Sequence, residues 1–117
     1  DQPPFRAAAR AVVGATPEFE LVGEARSGEE AVALVGALRP DVVLMDINMA
    51  GLGGIEATRS IAGSYPETMT ILLSTYREED LPPQARACGA IAYLHKSNLD
   101  GKVLRRLWAR RHPSSAR

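Results

Sequence analysis

The stretch that most constrains this chain is Val42-Val43-Leu44-Met45-Asp46 and the loop that follows it. Four apolar residues in unbroken sequence, with no polar alternation, suit a strand covered on both faces, as in a parallel sheet flanked by helices. The run ends on a carboxylate, and the loop beyond it carries Gly51, Gly53 and Gly54. Open α/β sheets bind their ligands just outside the carboxyl ends of the strands. Asp46 is therefore expected at the mouth of such a site, where an acid can coordinate a cation or act as a nucleophile. The simpler alternative is an aspartate that only caps its own loop.

Hydrophobic spacing assigns the remaining elements. Phe5, Ala8, Val12 and Val13 recur at helical intervals, and Gly14 with Thr16-Pro17 closes that helix. Residues 19–25 read as a strand whose alternation is rough. Ser27 and Glu30 form a capping box at the start of a helix that carries Ala31, Leu34, Val35 and Leu38 and is stopped by Pro40. After the strand at 42–46, Ile55, Thr58, Ile61 and Ala62 mark a helix ending near Tyr65-Pro66. Residues 70–74 are a second buried-type strand. Glu78-Glu79-Asp80 leads into Pro82-Pro83 and a short helix with Leu81, Ala85 and Cys88 on one side, ended by Gly89. Residues 90–94 form a strand running into His95-Lys96, and the last helix carries Leu99, Val103, Leu107 and Trp108. Strict alternation of helix and strand predicts a doubly wound parallel sheet with right-handed crossovers and helices on both faces.

Composition narrows the function classes. The 117 residues are one domain's worth, and Lys plus Arg equal Asp plus Glu at 14 each, so no global charge bias points to nucleic acid or anionic membrane. The single cysteine, Cys88, excludes an internal disulfide and is expected in the core. No apolar run reaches the roughly 20 residues that cross a bilayer, and no export leader is visible. The expectation is a cytoplasmic domain without membrane contact. The Gly51-Leu52-Gly53-Gly54 loop does not complete G-x-G-x-x-G, and no Walker A sequence is present. His95 and His112 share no zinc-ligand spacing with Cys88. Lys102, Arg105, Arg106, Arg110 and Arg111 in the last helix read as a solvated face leading to a linker, because no recognition motif accompanies them.

The chemistry lies where three strands end, at Asp46, Ser74 and Lys96. Parallel strands bring their carboxyl ends to one edge, so a carboxylate, a hydroxyl and an ammonium converge. That is the set a transferred phosphoryl group needs, since its equatorial oxygens carry negative charge. A Mg²⁺ ion there would need further oxygen ligands. Asp1 and the backbone carbonyl of Asn48 are the candidates.

Three segments, 40–46, 72–76 and 89–96, resemble the receiver domain of bacterial response regulators, the flavodoxin-like (CheY-like) fold. Val22-Gly23-Glu24-Ala25 with Ser27-Gly28-Glu29-Glu30-Ala31 resembles the NarL/LuxR-type branch, whose receivers usually precede a helix-turn-helix DNA-binding domain. The resemblance implies a receiver over residues 1–112 and a tail or linker start at 113–117. It implies Asp46 as phosphoacceptor from a sensor histidine kinase or a small phosphodonor, Ser74 as the switch hydroxyl, Lys96 as the partner of the phosphoryl group and Tyr93 as the switch aromatic. It implies Mg²⁺ held by Asp1, Asp46 and the Asn48 carbonyl, a homodimer or partner surface on the last two helices and the strand between them, and DNA contact only through an output domain that this chain lacks. Such a domain is a signalling switch that catalyses only its own phosphorylation and dephosphorylation. An ordinary half-buried strand aromatic remains the alternative for Tyr93.

The chain departs from the pattern in several places. It starts at Asp1, so the family's first strand and the first acid of its pair are missing, and the parent protein is expected to continue upstream. That strand lies between those expected at 19–25 and 42–46. Its loss would leave buried amides unpaired at roughly 1–3 kcal/mol each, against a total stability of ~5–15 kcal/mol, enough to prevent normal folding. Ala50 and Gly53 replace a usual proline and a common acid, which should loosen the loop beside Asp46. Ser97 follows Lys96 where many receivers have proline. The rival to a working receiver is a degenerate one that keeps the fold as a phosphorylation-independent interaction scaffold. A small flavodoxin-like phosphate- or flavin-binding enzyme is a more distant reading.

Overall fold

Met69–Ser74 is the strand that everything else packs around. All six of its residues are buried, as a central strand with helices above and below must be. The computed structural model describes residues 3–48, 51, 53–75 and 77–111. In chain order its elements are α1 (Pro3–Ala15), α2 (Gly28–Leu38), β1 (Val42–Asp46), α3 (Gly54–Ser64), β2 (Met69–Ser74), the short α4 (Pro83–Arg86), β3 (Ala92–His95) and α5 (Gly101–Arg111). Single turns of tighter helix cover Glu78–Asp80 and Lys96–Asn98.

The sheet is parallel, ordered β1-β2-β3, with Met45 opposite Leu72 and Leu72 opposite Tyr93. The two-residue period of a strand sorts the core into two layers. Val13, Met69, Ile71, Leu73, Leu104 and Leu107 form the layer under α1 and α5. Met45, Ile47, Ala57, Ile61, Leu72 and Cys88 belong to the layer under α2, α3 and α4. The helices therefore lie on both faces, as the alternating pattern requires. Cys88 is 2% exposed and its Sγ lies 3.2 Å from the Ala85 carbonyl, a core thiol. At the start of α2, Ser27 caps the Glu30 amide at 3.1 Å, while the Glu30 carboxylate reaches back to the Arg26 amide, one residue before the position a capping box uses.

One expected element does not form. Residues 19–25 make no strand, and Leu21 and Val22 are 42% and 53% exposed. A strand needs a ladder partner, and among the described residues none lies beside this segment. The gap is a cavity of about 510 Å³ between the segment and β1, walled by Val13, Val35, Leu104 and Trp108. The segment is tied instead to α1: Arg10 makes a two-pronged contact with Glu24, Nε to Oε2 at 2.7 Å and the second nitrogen to Oε1 at 3.1 Å. That hydrogen bond holds the Glu24 carboxyl below its ordinary range and raises Arg10 in turn. Asp1, Met49, Ala50, Leu52, Tyr76 and the tail expected at 113–117 lie outside the described residues.

The open side of β1 has a defined register. In a parallel ladder both polar backbone groups of one residue face the same neighbour. The Asp41 carbonyl accepts from the Met69 amide at 2.9 Å, and the Ile47 amide donates to the Leu73 carbonyl at 2.8 Å. Val43 and Met45 thus face β2, whereas the backbone groups of Val42 and Leu44 face the cavity. Hydrogen exchange followed by NMR should find the Val42 and Leu44 amides exchanging about tenfold or more faster than those of Val43 and Met45. Equal protection at all four would mean that the outer edge is covered.

Candidate functional site

Asp46 is the last residue of β1 and only 3% exposed. A carboxylate that deep must have its oxygens occupied. Oδ1 accepts the Asn48 amide at 3.0 Å, a local turn bond of the type aspartate makes two residues on. Oδ2 accepts from Lys96 Nζ at 2.8 Å, across 50 positions of sequence. The side chains of Asp46 and Lys96 are 2% and 13% exposed, so the pair is screened from water on nearly every side. Asp46 thus caps its own loop with one oxygen and binds an ammonium with the other.

Lys96 arrives there because of how β3 ends. The strand stops at His95, and the chain enters the Lys96–Asn98 turn immediately. The His95 side chain accepts the Ser97 amide at 3.1 Å and so caps the turn that begins with Lys96. Its other ring nitrogen lies 3.2 Å from the Thr75 carbonyl, on the segment leaving β2.

Ser74 closes β2 and is 4% exposed, in register with His95 of β3. The Ser74 and Tyr93 side chains border a second cavity of about 350 Å³, with Ile47, Leu81 and His95. Tyr93 is half-buried and packs against the α2/α3/α4 layer. The structure thus brings Asp46 and Lys96 into direct contact and sets Ser74 at the same sheet edge. Asn48 is exposed just beyond, and Asp1 lies outside the described residues.

The donor chemistry fits a hard cation. Asp46 supplies carboxylate oxygen, the ligand type that a hard cation takes. Mg²⁺ commonly takes one or two carboxylates and keeps several waters. Among the described residues, no group of three His, Cys, Asp or Glu side chains lies close enough to form a metal cage alone.

Two residues of the site were not singled out from sequence. One is His95, read only as a non-ligand for zinc. The other is Gly54, the buried first residue of α3. A Cβ there would collide with the Asp46 carbonyl oxygen and lie 2.8 Å from the Ile47 Cα, so only glycine lets α3 start against the backbone of the acid. Gly53 before it has φ 90°, a conformation that side chains disfavour. Two adjacent glycines at a loop-to-helix junction were the available signal, one needed for its dihedral and one for close approach.

Comparison with known proteins decides the family. The response regulator receiver domain family matches residues 1–107. The chain belongs to that family. The receiver is 40% identical over 92 residues to the transcriptional regulatory protein DegU of Brevibacillus brevis, covering 79% of this chain and 39% of that protein. It is 41% identical over 99 residues to the response regulator UvrY of Escherichia coli (strain K12), covering 85% of this chain and 45% of that protein. The chain spans less than half the length of these two relatives. Among solved structures, a LuxR-family two-component response regulator from Aurantimonas sp. SI85-9A1 superposes with a TM-score of 0.81 at 29% identity, over 93% of this chain and 78% of that one. The receiver of the response regulator NarL from Mycobacterium tuberculosis superposes with a TM-score of 0.80 at 28% identity, over 88% and 86%. The fold is CheY-like, and the relatives are of the NarL/LuxR type. Receivers of two-component systems are signalling switches and not classical enzymes. No helix among the described residues is long and apolar enough to cross a membrane.

Two substitutions test this anatomy. Lys96→Ala would leave the buried Asp46 carboxylate without its cation and should destabilise by about 3 kcal/mol, the low end for a buried pair that loses one partner, since Lys96 keeps some access to water. Adding Asp46→Asn should recover part of that loss in denaturant melts. Gly54→Ala would stabilise an ordinary exposed helix position by about 1 kcal/mol. Here the midpoint should fall instead, because backbone and not a movable side chain blocks the methyl group.

Proposed function

We propose that this receiver is phosphorylated on Asp46 by a sensor histidine kinase, with Mg²⁺, and that the modification switches an output encoded beyond this chain, transcription in the parent protein. The observation that carries the reading is the buried 2.8 Å contact between Lys96 Nζ and Asp46 Oδ2 at the carboxyl edge of the sheet. An acid held this way is oriented by two fixed partners, and the cation beside it suits the charge a phosphoryl group brings.

In the transfer, an Asp46 oxygen attacks phosphorus as the bond to the donor breaks. The leaving group is the kinase imidazole, or acetate when acetyl phosphate is the donor, and it departs with the electron pair. Lys96 then has three phosphoryl oxygens to pair with in addition to carboxylate oxygen. Ser74, at the end of the adjacent strand, would donate its hydroxyl to one of them. Asp46, the Asn48 carbonyl and Asp1 would hold Mg²⁺, which supplies further positive charge for the same oxygens. Rotation of Tyr93 toward the cavity it shares with Ser74 would carry the change to α4, β3 and α5, where a second copy or a partner reads it. DNA would be contacted through an output domain, and the setting is the cytoplasm.

Intact-mass spectrometry after treatment with acetyl phosphate and Mg²⁺ tests the proposal, beside Asp46→Asn and an EDTA control. The expected result is a phosphate-mass adduct that requires metal and vanishes in the variant. No adduct in protein shown by circular dichroism to be folded would replace the switch with the phosphorylation-independent scaffold.

A further inference from the structure

The imidazole of His95 joins two of the three strand ends that build the site. Nδ1 lies 3.1 Å from the Ser97 amide and 2.7 Å from the Ser97 hydroxyl, and Nε2 lies 3.2 Å from the Thr75 carbonyl. The tautomer follows from the partners. A backbone amide can only donate, so Nδ1 must carry the lone pair. A carbonyl can only accept, so Nε2 must carry the hydrogen. The Ser97 hydroxyl serves either form, because it can donate or accept. The neutral Nε2–H imidazole satisfies every contact. Protonation would place an N–H on Nδ1 directly against the Ser97 N–H, and the cap on the turn that begins with Lys96 would be lost.

We propose that His95 is a positioning residue for phosphoryl transfer: as a neutral Nε2–H imidazole it clamps the segment after Ser74 to the turn that starts at Lys96, and protonating it releases that clamp. The inference rests on the reading of Asp46 as the phosphoacceptor. His95 touches neither the acid nor the transferred group in the contacts described, and acts through its neighbours on either side. Thr75 follows Ser74 directly and Lys96 follows His95 directly, so a shift of the imidazole moves the hydroxyl and the ammonium together. Displacing a reacting partner by about 1 Å is enough to slow a reaction on the order of a hundredfold.

The charges around His95 are mixed and largely self-compensating. From the segment after β2, Arg77 and Glu79 line the same cavity. The Arg77 guanidinium is itself 3.7 Å from Glu79 and 3.6 Å from Asp80. From its own strand end, Lys96 is paired with Asp46. The other polar side chains at the cavity are the hydroxyls of Ser74 and Tyr93 and the amide of Asn98. The clamp therefore depends on which ring nitrogen of His95 carries hydrogen, as its hydrogen-bond partners dictate.

The test measures the acetyl phosphate reaction with Mg²⁺ as a function of pH for the unmodified chain, His95→Leu and His95→Asn. Asparagine cannot titrate, yet its side-chain carbonyl can accept the amide two residues on. His95→Leu should slow modification about tenfold at neutral pH. His95→Asn should recover most of the rate and lose the decline on acidification that the clamp predicts for the unmodified chain. Identical pH profiles for the unmodified chain and His95→Asn would overturn the clamp, as would an unchanged rate in His95→Leu. An adduct absent from every form, including the unmodified chain, instead overturns the phosphoacceptor reading on which the clamp depends. Imidazole ¹⁵N shifts of the unmodified chain give a readout that needs neither folding of a variant nor phosphorylation. The Nε2–H tautomer, with the Ser97 amide losing protection on acidification, supports the clamp, and the Nδ1–H tautomer overturns it.

Discussion

The contact between Lys96 and Asp46 is the constraint on which the rest of the arrangement depends. A carboxylate 3% exposed and an ammonium side chain 13% exposed are both costly to take out of water, and each is tolerable only because the other is there. Meeting at 2.8 Å across 50 residues requires two strand ends at one edge of one sheet. Parallel pairing supplies that edge, and helices on both faces supply the burial. A hydrophobic isostere of the pair would stabilise the domain as well or better. Stability alone therefore does not account for a polar pair at this place.

Several features that look like local detail follow from holding that pair in place. Gly54 lets α3 start hard against the carbonyl of Asp46, so the acid's backbone has a wall behind it. The Asn48 amide fixes one carboxylate oxygen, which leaves the other aimed at Lys96. His95 caps the turn that Lys96 begins and reaches to Thr75, so the ends of β2 and β3 are tied together beyond their ladder. The opposite side of the sheet is less complete. β1 has a partner only on its β2 side among the described residues, and residues 19–25 are held to α1 by a solvent-exposed ion pair. An exposed pair of this kind contributes little and is screened by salt. The site therefore rests on the β2–β3 half of the domain, with Asp46 at the border of the less supported half.

Much of this was legible in the residues because it depends on local pattern. The unbroken apolar runs at 42–45 and 71–73 suit strands covered on both faces, and both form strands with core on either side. Cys88 read as core and is core. The alternation of elements dictated a parallel sheet, and parallel strands must end together, which put Asp46, Ser74 and Lys96 at one edge without any distance being known. The strand expected at 19–25 shows the limit. Its residues have adequate strand propensity, but a strand is a pairing and not a property of one segment. Among the described residues no partner lies beside it, so Leu21 and Val22 stay in water while Phe19 and Ala25 pack against the core.

The sequence by itself determined which residues are chemically equipped, what period each segment follows and which family the chain resembles, because these depend on side-chain type and near-neighbour spacing. Only the tertiary structure decided that Oδ1 of Asp46 goes to Asn48 and Oδ2 to Lys96, that a methyl group on Gly54 would strike the acid's carbonyl, and that His95 spans from Ser97 to Thr75. The contacts to Lys96 and to Thr75 join residues 50 and 20 positions apart, and no local pattern encodes them. They are settled when two helical layers close over the sheet and every buried polar atom must find its partner in the space that remains.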